Sequence, residues 1–95
     1  MDKEYWKVEW HHEFTAEPVV IYSEIGADGY ETRKVEGFRN GCFSWADEKR
    51  SSGLTELGEV PVGPIEEVMA QAEFSAFLIT REQFEDVWQR ASMSP

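Results

Sequence analysis

The chain of 95 residues carries a single cysteine, Cys42. One thiol cannot form an internal disulfide, so the core alone must hold the fold, and a reducing, cytoplasmic setting is expected. No apolar run approaches the ~18 residues a membrane helix needs, and no apolar stretch follows the charged start Met1-Asp2-Lys3-Glu4. Neither a membrane span nor a secretion signal is therefore expected. Basic residues are also scarce: nine Lys and Arg face nineteen Asp and Glu, for a net charge of −10. Such a surface repels nucleic-acid phosphates and anionic membranes, which argues against both as partners. A glycine-rich phosphate loop is missing too, because Gly26-Ala27-Asp28-Gly29 leads into a strand where a helix would be required.

What is present is enough for one packed core. Hydrophobic residues make up 41% and aromatics 14%, with four Trp, and this outweighs the charge as a sign of order. A single domain over 1–95 is expected, ordered over about 5–91. Tyr5 to Trp10 alternates with period two, placing Trp6, Val8 and Trp10 on one face and Tyr5, Lys7 and Glu9 on the other. Asp28-Gly29 and Asn40-Gly41 read as two-residue hairpin turns, so Val19 to Asp47 is a three-stranded antiparallel meander. That register sets Glu24 opposite Arg33, Tyr22 opposite Val35, Phe38 opposite Phe43 and Glu36 opposite Trp45. One face then collects Val19, Ile21, Ile25, Tyr30, Phe38, Phe43 and Trp45, and is the expected core face. Lys34 and Glu36 share it and are assigned to its margin. A one-residue slip would exchange the faces.

Residues 48–63 form a loop, which Leu54, Leu57, Val60 and Val62 are expected to tack onto the core. Pro64 opens a helix whose apolar face is Ile65, Val68, Met69 and Ala72. Phe74 to Ile79 reads as a short edge strand or a linker. Thr80-Arg81-Glu82-Gln83 matches a capping box, and Phe84, Val87, Trp88 and Ala91 follow at helical spacing. The fold class is therefore α+β: an antiparallel sheet of four or five strands with two helices, the second C-terminal, packed on one face.

The chemistry on offer is sparse. His11-His12-Glu13 is the only histidine cluster, but adjacent side chains on an extended chain diverge and no ligand spacing completes a site. No metal and no cofactor are expected, and no residue is assigned a catalytic role. Tyr22, Glu24, Glu31 and Arg33 fall on the polar sheet face, where they form either a salt-bridge ladder or a small ligand site. The acids are unevenly spread. The first fifty residues hold eleven acids and seven bases, and the remaining forty-five hold eight acids and two bases. Glu56, Glu59, Glu66, Glu67, Glu82, Glu85 and Asp86 in the second half are the candidate charges for steering a basic partner.

One set of residues carries a resemblance: Trp10-His11, Glu17-Pro18, Tyr22-Ser23-Glu24, Tyr30-Glu31-Thr32-Arg33-Lys34-Val35-Glu36, Phe38-Arg39-Asn40-Gly41, Ala46-Asp47, Leu57-Gly58-Glu59 and Phe84-Glu85-Asp86-Val87-Trp88. In this order they resemble a family of small bacterial single-domain proteins of unknown function, over about Tyr5 to Ala91. The resemblance supplies no activity. By analogy with small acidic bacterial proteins it implies an immunity protein that occludes a basic toxin. The alternative is a ligand-binding or minor enzymatic module on the Tyr22, Glu24, Glu31 and Arg33 face. A third reading, self-association through an exposed sheet edge, is disfavoured by the −10 charge.

Overall fold

A computed structural model describes residues 3–93. The chain forms β1 (Glu4–Trp10), β2 (Val20–Ile25), β3 (Glu31–Gly37), β4 (Phe43–Asp47), α1 (Ile65–Met69), β5 (Phe74–Leu78) and α2 (Arg81–Ser92). The five strands make one antiparallel sheet in the order β4-β3-β2-β1-β5. The α+β class and the element order are those expected from the sequence, and Phe74–Leu78 resolves as an edge strand.

The turns differ from expectation, and the difference decides the core. Both hairpin loops have three residues, not two. Gly26 N–H donates to the Tyr30 carbonyl, and Phe38 N–H donates to the Cys42 carbonyl. Only the glycines, Gly29 and Gly41, take positive φ (86° each); Asp28 and Asn40 do not. This is the loop type in which a type I turn closes on a left-handed glycine. In the first hairpin a bulge at Thr32 absorbs the extra residue, so Glu24 still faces Arg33 and Tyr22 still faces Val35. In the second hairpin nothing compensates. The β3–β4 register slides by one, and Trp45 lies opposite Val35 while Phe43 lies opposite Gly37.

That slide moves Phe43 and Trp45 to the face carrying Tyr22 and Val35, which is thereby a core face. Val35, Val87 and Ala91 are its buried centre, with Tyr22, Phe43, Trp45 and Trp88 packed around them. Tyr30, expected in the core, is exposed. The other face is buried as well, over β1 and β5: Trp6, Val8, Ile25, Ile65 and Ala76 form a second cluster, with Val62, Val68 and Phe74 against it. Trp6 and Val8 of β1 belong to this second cluster, while Tyr5 turns to the other face and meets Phe84 of α2. The two helices, expected on one face, are thus divided, α1 covering the Trp6 side and α2 the Val35 side.

The loop before α1 is held differently from expectation. Leu54 is 97% exposed and Val60 is exposed too, so neither tacks it down. Val62 does pack against the Trp6 cluster as expected, and polar bonds hold the rest. Thr55 Oγ1 donates to Glu36 Oε1 (2.7 Å) and is hydrogen-bonded to Ser44 Oγ, Gly58 N–H donates to Glu31 Oε1 (2.7 Å), and Lys34 Nζ donates to the Glu56 carbonyl (3.2 Å). Lys34 and Glu36 are therefore not marginal core residues. They are the anchors of this loop, and burial of Thr55 under it is satisfied by hydrogen bonds.

The capping box of α2 forms as read: Gln83 N–H donates to Thr80 Oγ1 (3.1 Å) and Thr80 N–H donates to Gln83 Oε1 (2.8 Å). It sets the helix so that Phe84, at 0% exposure, meets Tyr5 (ring centroids 5.4 Å apart) and Trp88 (6.3 Å). Truncating so well enclosed a ring leaves a cavity. Phe84→Ala is expected to cost about 3–5 kcal/mol, read as a lowered urea midpoint with an unchanged slope; a loss under about 1 kcal/mol would contradict this packing.

Candidate functional site: the Arg33 cluster and the acidic surface

Arg33 projects from β3 toward α2, beside Glu24 of β2. Its guanidinium is shared by two carboxylates. Nε and Nη2 donate to Glu24 Oε1 (2.9 Å) and Oε2 (2.6 Å), while Nη1 and Nη2 donate to Glu85 Oε1 (3.0 Å) and Oε2 (2.6 Å). The cation also lies over the rings of Phe84 (4.9 Å) and Trp88 (5.0 Å). Planar, bidentate pairing of this kind is what arginine offers and lysine does not. Thr32, placed by the bulge, donates from Oγ1 to Glu24 Oε1 (2.7 Å), and Lys3 Nζ stands 3.5 Å from the same oxygen.

Glu24 is only 3% exposed. Burial by itself would raise its pKa; the hydrogen bonds from Arg33 and Thr32, with the charges of Arg33 and Lys3, override it and lower it from 4.5 to about 2. Arg33 is raised further, chiefly by the Glu24 hydrogen bond, against the opposing effect of burial. The Arg33 hydrogen bond likewise lowers Glu85. Burial first, then the neighbouring Glu24 charge, raises the Tyr5 phenol. Lys3, Tyr5, Glu24, Arg33 and Arg81 line a shallow recess of about 390 Å³ here.

The four residues read as one polar face do not stay together. Glu24 and Arg33 pair as expected. Glu31 is turned to the opposite face by the Thr32 bulge, where it binds Lys34 (3.0 Å), Ser23 and the Gly58 amide. Tyr22 lines a different and larger recess of about 770 Å³, together with Lys7, Glu9, Trp10, His11, His12 and Arg39 among others. Sequence reasoning missed this recess, since it is assembled from β1, β2 and two connectors. The histidines diverge within it. His11 Nε2 meets Ser75 Oγ (2.7 Å), and His12 accepts the Phe14 N–H at Nδ1 (2.9 Å) and reaches the Pro18 carbonyl with Nε2 (2.7 Å). Among the described residues no group of three or more His, Cys, Asp or Glu is disposed to hold a metal ion.

The seven candidate steering acids separate as well. Glu82, Glu85 and Asp86 lie on α2, and their charge is partly spent: Glu85 on Arg33 and Arg81 (3.8 Å), Asp86 on Arg90 (2.8 Å). Glu56, Glu59, Glu66 and Glu67 lie on the loop and α1, exposed, with no ion pair among the described residues. Glu85 as the second partner of Arg33 had no local signal, because 52 residues separate the two.

With this geometry established, the chain matches one family over residues 4–93, described as "Domain of unknown function (DUF6881)". The chain belongs to this family. Membership covers nearly the whole fold, including both helices and the Arg33 cluster, and assigns no activity. Neither the curated proteins nor the solved structures provide a match. No helix among the described residues is long and apolar enough to cross a membrane.

Two outcomes follow for the Arg33 cluster. The depressed Glu24 pKa contributes stability that is full above about pH 5 and is lost as pH falls through 4.5 toward 2, up to about 3 kcal/mol. Glu24→Gln should therefore flatten the acid limb of a stability–pH curve; an acid limb identical to wild type would contradict the assignment. Arg33→Ala leaves Glu24 buried without its partner and is expected to cost about 3–5 kcal/mol. Thermal unfolding checks this, and an unchanged Tm would show that the pair carries no structural weight.

Proposed function

We propose that this protein is a non-enzymatic binding domain for a basic protein, most concretely a bacterial immunity protein that occludes a basic toxin in the cytoplasm. The observation that carries the reading is the arrangement of charge. The most strongly held polar group, Arg33, has four donor contacts committed to Glu24 and Glu85 within the fold. By contrast Glu56, Glu59, Glu66 and Glu67 stand exposed and outside any ion pair among the described residues, in a molecule of net charge −10. Unpaired surface acids add little to stability, and their physical consequence is an attractive field for a cation-rich surface.

The mechanism has two stages. The acidic loop–α1 side raises the encounter rate with a basic partner, and exposed apolar side chains then provide area that is buried on docking. Met69 of α1 and Leu78 of β5, both exposed, supply such area. The Arg33 cluster serves this function indirectly by fixing α2 to the sheet.

Affinity capture from a bacterial lysate at low salt, repeated at high salt, tests the reading. A basic protein retained at low salt and released by added salt is the expected result. With that protein purified, the association rate should fall by about tenfold or more between low and physiological ionic strength. Glu66→Lys with Glu67→Lys should slow it further, with little change in dissociation. A rate indifferent to salt and to these reversals would overturn the steering mechanism.

A further inference from the structure

The α2 side of the sheet is covered over only part of its length. In one row of that face Tyr22 stands between Lys7 of β1 and Val35 of β3; in the next, Val20 stands between Glu9 and Gly37. α2 buries Val35 and packs beside Tyr22. Lys7, Glu9 and Val20 lie outside the cluster it encloses and line the recess of about 770 Å³ described above. A concavity of this size is in the range that holds small molecules.

Its wall is fixed without a ligand. His12 accepts the Phe14 N–H at Nδ1, meets the Pro18 carbonyl with Nε2, and lies against the Trp10 ring (centroids 4.2 Å apart). Arg39 Nη2 donates to the His12 carbonyl, which ties the β3–β4 loop to this wall. Nε and Nη1 of Arg39 make no hydrogen bond among the described residues. The same comparison sets Arg39 apart by charge: among the described residues, every Lys and Arg except Arg39 and Lys49 has a carboxylate within 4.0 Å. The Tyr22 hydroxyl is not buried and also lacks a hydrogen bond among the described residues. Donors that are held in place yet uncommitted are what a preorganised site presents.

Both signs of charge line the recess. Lys7 Nζ and Glu9 Oε2 stand 3.8 Å apart, too far for a hydrogen bond, and both side chains are partly exposed. Glu13 is exposed and has no ion pair among the described residues. A simple anion would be opposed by Glu9 and Glu13, and a simple cation by Lys7 and Arg39. A ligand that carries an ammonium beside a carboxylate meets both pairs, as Lys7 and Glu9 themselves stand side by side. From this we infer that the recess binds a free α-amino acid with a large apolar side chain. Its carboxylate meets Lys7 and Arg39, its ammonium meets Glu9 and Glu13, and its side chain lies against Val20 and Tyr22. This binding is independent of the basic protein partner proposed above.

Amide NMR of the whole chain, titrated with L-phenylalanine to millimolar concentration, tests it. Saturable shifts are expected at Glu9, Val20, Tyr22 and Arg39. Phenylpropionate lacks the ammonium and phenethylamine lacks the carboxylate, and each should bind more weakly by about tenfold or more. Arg39→Gln should weaken L-phenylalanine to a similar degree. Because Arg39 also holds the connector, Lys7→Met provides a variant that leaves the wall intact; it should weaken L-phenylalanine and leave phenethylamine unchanged. No saturable shift, or shifts confined to residues around Arg33, overturns the inference. So does L-phenylalanine binding that neither variant weakens. Phenylpropionate binding as tightly as L-phenylalanine would assign the recess to a simple anion, and phenethylamine doing so would assign it to a simple cation; either result overturns the zwitterion.

Discussion

The Arg33 guanidinium is the point on which the arrangement of the domain turns. It belongs to β3, takes one carboxylate from β2 and one from α2, and rests on two aromatic rings of that helix. A single side chain thereby orients α2 over the sheet, while the apolar contacts of Val35, Val87 and Ala91 supply the burial energy. Desolvating a carboxylate and a guanidinium is costly, and the cost is offset only because the fork geometry satisfies both at once. The Thr32 bulge is part of the same device. It restores the Glu24–Arg33 register, adds a donor to Glu24, and sends Glu31 to the other face, where it secures the loop.

Much of this was legible in the residues. Alternation in Tyr5 to Trp10 gave β1 with its faces correctly divided, and Thr80 with Gln83 gave the start of α2 with its buried side chains. The Glu24–Arg33 pair followed from counting back from a turn. The count was right because two departures, a three-residue loop and a bulge, cancelled. At Asn40-Gly41 one departure stood alone, and the reading of Phe43 and Trp45 moved to the wrong face. Asn-Gly and Asp-Gly fit both the two-residue loop and the three-residue loop ending on glycine, so composition alone does not separate them.

The candidate site was less legible than the fold, for a related reason. Local pairing rules reach across one hairpin, whereas Glu85 comes to Arg33 only through the packing of α2. Counting acids identified the charge bias but not its distribution: which carboxylates are spent on arginines depends on tertiary placement. Once placed, they divide into structural acids (Glu24, Glu31, Glu36, Glu85) and exposed ones on the loop and α1. This division separates the carboxylates that hold the fold from those left to shape the field outside it.

The central claim is that Arg33 is committed to holding the fold and is not free to meet a ligand. A double-mutant cycle between Arg33→Met and Glu24→Gln, read by urea unfolding at neutral pH, tests it most directly. The account predicts a coupling of about 2 kcal/mol, with each single variant substantially less stable than wild type. Strictly additive losses, or an Arg33→Met variant as stable as wild type, would contradict it and return Arg33 to the pool of residues free to meet a ligand.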